Sequence, residues 1–269
     1  MLHRIKIILL IACTILLTSC HAQDKNTLRV GTIAGPDTQL LEVAKQVAKK
    51  KYGLNIQIIE FTDYVEPNTA LNDGSLDANM FQHQPYLNKQ NAERHFHLKA
   101  VAKTFIFPMG IYSTKMKGII EIPDGAVIAI PNDPSNEGRA LLLLAKAELI
   151  TLKDPTNLYS TPADIKDNIK HLTFKELDAA QLPRSLADVD LAVINSNYAV
   201  AANLSPSKDA LLLEDSNSPY ANIIVIRNDE SNDPRIEELV SSIQSPEVLK
   251  AAADIFNGQA IPAWQTDYQ

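Results

Sequence analysis

The sequence predicts an α/β fold of two similar lobes joined by two crossing strands. Three observations carry that expectation. One order of elements occurs twice, two extended apolar segments follow the two repeats, and the chain ends in a pair of amphipathic helices.

In the first half, residues 28–33 read as a short strand running into a turn at Gly35-Pro36. A helix capped by Asp37 or Thr38 should follow, because Leu40, Leu41, Ala44, Val47 and Ala48 fall on one helical face. Gly53 fits the position just past a helix end, and residues 55–61 alternate enough to form the next strand. Asp77 then leads into a third apolar run at 78–81. The second half repeats this order. Residues 126–130 are a strand, and Asp133-Pro134 gives an N-cap followed by proline at the first helical position. A strongly apolar helix runs on through 149, residues 171–177 form another strand, and Asp190 leads into an apolar run at 191–194. Strands alternating with helices imply parallel packing in each half.

Two extended apolar segments, 104–112 and 219–226, are placed to connect the lobes. Asp233-Pro234 and Ser245-Pro246 open two final helices, with Ile236, Leu239, Val240 and Ile243 as an apolar stripe. This tail should return to the first lobe. The expected division is therefore 28–108 with 226–269 in lobe I, and 109–225 in lobe II. Two crossings between lobes make a hinge, and ligands of such sheets sit beyond the carboxyl ends of the strands.

The N-terminus carries a different signal. Arg4 and Lys6 precede an apolar run at 7–17 that is too short to span a bilayer. Basic start, short apolar run and small-residue cleavage site describe a secretory signal at 1–19. The tetrapeptide Leu17-Thr18-Ser19-Cys20 resembles the bacterial lipoprotein signal, which makes Cys20 the acylated first residue of the mature chain. Residues 20–27 read as a flexible leader. The other cysteine, Cys13, leaves with the signal, so ordinary packing must hold the fold without a disulfide. A formal charge of −7, more negative once Arg4 and Lys6 are removed, argues against nucleic acid as a partner.

Candidate site residues stand at the strand ends. Phe81, His83 and Tyr86 follow the third strand and Tyr64 follows the second, making either an apolar box with polar tips or ordinary packing. Asn136 and Arg139 follow the first strand of the second half, at a helix start whose free N–H groups favour an anion. A guanidinium there suits a carboxylate, or it pairs with Glu137 or Asp133. Asn195 and Asn222 offer amide oxygens that can accept from an ammonium without adding charge, although asparagine also serves in turns.

These stretches resemble the methionine-binding lipoproteins (MetQ/NlpA family) that serve methionine ABC importers. The resemblance is carried by KYGL at 51–54, FTDY at 61–64, DANMFQH at 77–83, Pro85-Tyr86, PNDP at 131–134 and Gly138-Arg139. It continues through QLPRSL at 181–186, LAVIN at 191–195, SPY at 218–220 with Asn222, and FNG at 256–258. It implies a type II periplasmic-binding-protein fold, with Tyr64, Phe81, His83 and Tyr86 around the thioether of methionine. It further implies that Arg139 and Asn136 bind the carboxylate, and that Asn195 and Asn222 hold the amino group and the carboxylate. The resemblance implies methionine of L or D hand, since members of the family differ in ligand hand and some accept a dipeptide. The partners implied are the permease and ATPase subunits of the importer, and a membrane reached through the lipid, in the periplasm or outside the cell. Gln259 departs from the usual glycine.

A zinc-binding lipoprotein using His83, His95 and His97 is the rival reading. Catalysis is not expected, since the sequence has no phosphate-cradling glycine loop, no Gly-x-Ser-x-Gly and no His-Glu-x-x-His. No cofactor is implied.

Overall fold

The computed structural model describes residues 26–230 and 232–264. The signal segment, the lipidation site at Cys20 and the rest of the leader up to residue 25 lie outside the described residues. Regular structure opens at Thr27, inside the segment assigned to the leader.

In chain order the first half comprises β1 (Thr27–Ile33), α1 (Pro36–Tyr52), β2 (Asn55–Phe61), α2 (Glu66–Asn72), β3 (Ala78–His83), α3 (Gln84–Arg94) and β4 (Leu98–Lys103). A short β5 (Phe105–Ile106) leads to the second half. That half holds β6 (Gly110–Tyr112), β7 (Val127–Pro131), α4 (Pro134–Lys146), β8 (Thr151–Leu152), β9 (Ile165–Asp167) and β10 (Thr173–Leu177). It continues with α5 (Leu182–Ser185), β11 (Leu191–Ile194), α6 (Ser196–Ala201), α7 (Pro206–Asp209) and β12 (Ala210–Leu213). The chain returns through β13 (Asn222–Arg227), α8 (Pro234–Ile243), α9 (Pro246–Ile255) and β14 (Ile261–Pro262).

Two five-stranded sheets result, β2-β1-β3-β13-β4 and β10-β7-β11-β6-β12. The expectation of parallel packing holds for three strands of each. The fourth strand, β13 in one sheet and β6 in the other, is antiparallel to both its neighbours. Each of those strands begins or follows a crossing, so the chain meets the sheet from the opposite direction. The lobe boundary moves for the same reason. Residues 222–225 pair with β3 and β4 and therefore belong to the first sheet, not to lobe II. The crossings themselves, 104–109 and 214–221, are mostly irregular. Only Phe105–Ile106 is a strand, and it pairs with β14. Thr104 N–H donates to Asn222 O at 2.7 Å and Glu214 N–H to Met109 O at 2.9 Å, so the two crossings run side by side.

The aspartate that leads each third strand has the same work in both lobes. Asp77 N–H donates to Arg29 O while its Oδ2 accepts from Arg29 N–H at 2.7 Å. Asp190 N–H donates to Val127 O while its Oδ2 accepts from Val127 N–H at 2.8 Å. Each carboxylate thus pins the start of its strand to the neighbouring strand, and those bonds hold both groups below the usual carboxylate range. At Asp77 burial pushes the other way and the Arg29 contacts outweigh it.

Several helix ends follow local chemistry. Asp133, Asp233 and Ser245 cap α4, α8 and α9 through their side chains, each followed by proline. Gly53 ends α1 in the left-handed region at φ 71°, its N–H reaching Lys49 O at 3.1 Å. The start of α1 differs from expectation. Its N-cap is Gly35, at φ 112°, and neither Asp37 nor Thr38 caps it. The apolar helix of the second half stops at Lys146, three residues short of 149, where Glu148 turns left-handed at φ 59°.

The tail returns as expected. Ile236, Leu239, Ile243, Val248, Ala252 and Phe256 join Leu40, Leu41, Ala44 and Ala48 of α1 in the core of the first lobe. A separate core fills the second lobe around Ile128, Ile130, Leu141, Leu144 and Val193.

Gly138 gives a test of the second lobe. A Cβ there would run into the backbone carbonyl of Leu158 and approach Ser160 N, and backbone cannot rotate away. Gly138→Ala should destabilise the protein by about 1–3 kcal/mol through overpacking, outweighing the roughly 1 kcal/mol that alanine gains inside a helix. Thermal unfolding reads the balance. A melting temperature equal to wild type or higher would show that the 158–160 loop yields.

Candidate functional site

All eight candidate residues line one cavity where the strand ends of the two sheets face each other, the place where ligands of α/β sheets bind. Asp37, Gln82, Phe107, Ser196 and Asn197 complete the wall. Both lobes contribute, and a third apolar cluster spans them, with Phe81 and Tyr86 against Tyr112, Ala129, Leu182 and Tyr198. Hydrogen bonds cross the same gap: Tyr198 OH to Thr62 O at 3.2 Å, and Tyr159 OH to Pro85 O at 3.1 Å.

The first lobe supplies rings. Strand β3 ends at His83, and α3 starts at once with Pro85 in its first turn, so Phe81, His83 and Tyr86 crowd together. Tyr64 lies 5.9 Å from Phe81, 6.2 Å from Tyr86 and 5.0 Å from Tyr198, centroid to centroid. Phe81 and Tyr86 pack edge-on at 5.8 Å. Tyr64 OH donates to Asn197 Oδ1 at 2.7 Å and Tyr86 OH to Tyr64 O at 2.7 Å. With the hydroxyls satisfied by protein, the box offers the cavity mainly apolar ring surface. Burial also drives both phenols well above their usual pKa, so they stay neutral.

The second lobe supplies a polar chain. Asp133 Oδ1 accepts from Asn136 N–H at 2.9 Å and its Oδ2 from Asn136 Nδ2 at 2.9 Å. That fixes the amide, leaving Asn136 Oδ1 to accept from Asn195 Nδ2 at 2.9 Å. His83 Nδ1 accepts from Tyr86 N–H at 3.2 Å, which places its proton on Nε2, 3.3 Å from Asn136 Oδ1. Asn195 Oδ1 is buried and has no hydrogen-bond partner among the described residues. An orphaned acceptor of this kind costs about 1–3 kcal/mol until a donor reaches it. Asn222 Nδ2 reaches Phe81 O at 3.4 Å.

Arg139 is 4% exposed and is held by neither Glu137 nor Asp133. Its partner is Glu214, gripped in a two-pronged pair with Nε 3.1 Å from Oε1 and Nη2 bonded to Oε2. Nη2 also donates to Phe107 O at 2.9 Å, and the guanidinium lies 4.6 Å from the centre of the Tyr220 ring. Nη1 has no hydrogen-bond partner among the described residues, and Arg139 lines the cavity.

Sequence reasoning missed Glu214, Asp37, Asn197, Gln82, Phe107 and Ser196. Asp37 reads, with Thr38 as the alternative, as a helix cap, but it is buried and its Oδ2 accepts from Asn197 Nδ2 at 3.0 Å. Gln82 belongs to a buried amide cluster with Asn68 and Asn79 behind β3. Only Gln82 and Ser196 carried a visible signal, adjacency to residues already chosen. The zinc reading fails on geometry. His95 is the left-handed residue that ends α3, and His83 lines the cavity with its ring bonded to Asn136 and Tyr86. No group of three His, Cys, Asp or Glu that could hold a metal occurs among the described residues.

Sheets of this order, duplicated and facing each other across a shared cavity, define the bilobal substrate-binding architecture. The chain belongs to the NlpA lipoprotein family, whose family model matches residues 28–264. A relative from Vibrio cholerae, the probable D-methionine-binding lipoprotein MetQ, is 48% identical over 94% of this chain and 95% of that protein. Among solved structures, a periplasmic substrate-binding protein of an ABC transporter from Coxiella burnetii matches with TM-score 0.86 at 60% identity, covering 88% of this chain and 100% of that one. A nutrient-binding protein from Burkholderia cenocepacia bound to methionine matches with TM-score 0.86 at 50% identity, covering 88% and 100%.

The His83 environment has a pH consequence. Burial lowers its pKa from 6.5 to about 3, and the Arg139 charge pushes the same way. The unfolded chain takes up that proton near pH 6.5. The stability His83 confers is therefore complete above that pH and is lost as pH falls toward 3. Its ring resonances should not titrate between about pH 8 and pH 5. A midpoint near 6 would show an imidazole open to water.

Proposed function

We propose that this protein captures methionine between its lobes and delivers it to an ABC importer, without catalysis, while anchored by lipid at Cys20 to an envelope membrane. One observation carries the reading: an aromatic box shares its cavity with a single guanidinium and an orphaned amide acceptor. A thioether gains from ring contacts that tolerate loose geometry. In this assignment the side chain lies among Tyr64, Phe81, His83 and Tyr86. The carboxylate meets Arg139 Nη1 with Asn136 and Asn222 beside it, and Asn195 Oδ1 accepts from the amino group. The names of the Vibrio cholerae and Burkholderia cenocepacia proteins support the same ligand. Ser196 Oγ donates to Pro108 O, while His83 donates from Nε2 to Asn136 and accepts at Nδ1 from Tyr86 N–H, so neither is paired as nucleophile with base. No helix among the described residues is long and apolar enough to cross a membrane, which fits anchoring by acylation.

Calorimetry on refolded, ligand-free protein tests the site with L- and D-methionine and alanine. Arg139→Ala should cost both amino acids about 2–5 kcal/mol, tenfold in affinity per 1.4 kcal/mol, because both bring the same carboxylate. Arg139→Lys, which keeps charge but loses the planar fork, should fall between. Phe81→Ala should weaken methionine far more than alanine, since alanine is too short to use the rings. If the methionine-to-alanine ratio does not move, the rings are packing and the ligand assignment fails.

The anchor is tested separately. Cys20→Ala should abolish acylation and release the protein from membranes or block signal processing, because stable lipid anchoring requires the acyl chains. An unchanged membrane fraction would refute it.

A further inference from the structure

We infer that Asp37 is a specificity-determining residue whose carboxylate holds the ammonium of the ligand, so that the site selects zwitterions over acids lacking the amine. This deepens the methionine reading and rests on it.

The charges of the cavity point to it. Its thirteen lining residues include one acid, Asp37, and one permanent cation, Arg139, and they come from opposite lobes. His83 is neutral at physiological pH. A zwitterion laid across this gap places its two charges on the two lobes at once. Glu214 already offsets Arg139, so an incoming carboxylate adds negative charge that needs a cation close by. The ammonium supplies it, and amide dipoles alone compensate a desolvated ammonium less well than a carboxylate does.

Asp37 also lacks a structural occupation that would explain an acid. It sits in the first turn of α1, yet the N-cap is Gly35 and no backbone N–H of the helix bonds its side chain. At 4% exposed, it receives one side-chain hydrogen bond, from Asn197 Nδ2 to Oδ2. Oδ1 has no partner among the described residues and is not sealed from the cavity. An ammonium carries three donors, enough for Asp37 Oδ1 together with Asn195 Oδ1. Asn197 orients the acid: its Oδ1 is fixed by Tyr64 OH, so its amide N–H group must face Asp37. Burial pushes the Asp37 carboxyl up to about 7, as expected for an acid that waits for a cationic partner.

The test compares methionine with its desamino acid, which keeps the thioether and carboxylate, on wild type and Asp37→Asn by calorimetry. Asp37→Asn should weaken methionine by at least about tenfold and leave the desamino acid nearly unchanged, collapsing the preference between them. Equal losses for both ligands, or none, would overturn the role and leave Asp37 as a strut for Asn197. Asn197→Ala, which removes a bond between the lobes, should weaken both ligands alike. Failure of wild type to bind either ligand would instead overturn the methionine reading itself.

Should Asp37→Asn not fold, proton release by wild type decides. Around pH 7 methionine should displace a fraction of a proton that the desamino acid does not, and its affinity alone should fall as pH drops below about 7. The groups facing Asp37 are the Tyr64 and Tyr198 phenols, which stay neutral, and the Asn197 amide. Glu137, also pushed up to about 7 by burial, and Asp133, raised by burial too, belong to the other lobe and do not line the cavity, so any proton they exchange on binding is common to both ligands. Identical proton release by the two ligands would remove Asp37 from the site.

Discussion

A guanidinium buried between two lobes is costly to desolvate, and the structure around it is arranged to meet that cost. Arg139 is compensated by Glu214 and by Phe107 O, and it lies against the ring of Tyr220. None of these partners belongs to its own helix. Phe107 lies on the outgoing crossing, and Glu214 and Tyr220 lie on the returning one. The residue proposed to grip the ligand is therefore also the one that ties the two hinge segments to α4. A lysine could not do this, because a point charge on a flexible stem cannot hold a two-pronged carboxylate, a carbonyl and a ring contact together.

From that anchor the site divides its labour. The second lobe fixes polar atoms through a chain in which Asp133 orients Asn136, Asn136 orients Asn195, and Asn195 keeps one acceptor unspent. The first lobe contributes rings whose polar tips are already bonded. Several bonds, among them His83 to Asn136 and Tyr64 to Asn197, then cross from one lobe to the other. A ligand touching both lobes favours this closed arrangement only by binding it better than an open one, and contacts on both walls provide that difference.

Much of this was legible in the sequence for local reasons. Asp-Pro and Ser-Pro mark helix starts through rules that act within one turn, and the eight candidate residues were found because strand ends collect them. The misses have a common cause in contacts between residues far apart in the chain. Glu214 is 75 positions from Arg139, and nothing near either residue announces the pair. Asp37 at a helix start looks like a cap, yet a glycine takes that position and Asn197, 160 residues away, takes the carboxylate. Helix α3 was overlooked because it is largely polar, burying only Pro85, Tyr86, Leu87 and Gln90, and because Pro85 reads as the end of a strand as readily as the start of a helix. The antiparallel strands depend on where a crossing enters, which no window of sequence contains.

The duplication gives the charge arrangement a simple origin. By sheet order β1 corresponds to β7 and β3 to β11, and the paired bonds of Asp77 and Asp190 mark the same joint in each lobe. Helices α1 and α4 are then equivalent elements, each starting where the first strand of its lobe meets the cavity. Asp37 stands in the first turn of one, where the helix dipole favours an anion, and Arg139 in the second turn of the other, beyond the reach of that dipole. Two copies of one scaffold, facing each other, would carry like charges if their helix starts had stayed alike. Opposite charges at equivalent places would make the pair the proposed clamp for a molecule with one charge of each sign. On that argument selection for a zwitterion lies in the difference between the two lobes, and the aromatic rings add only the choice of side chain.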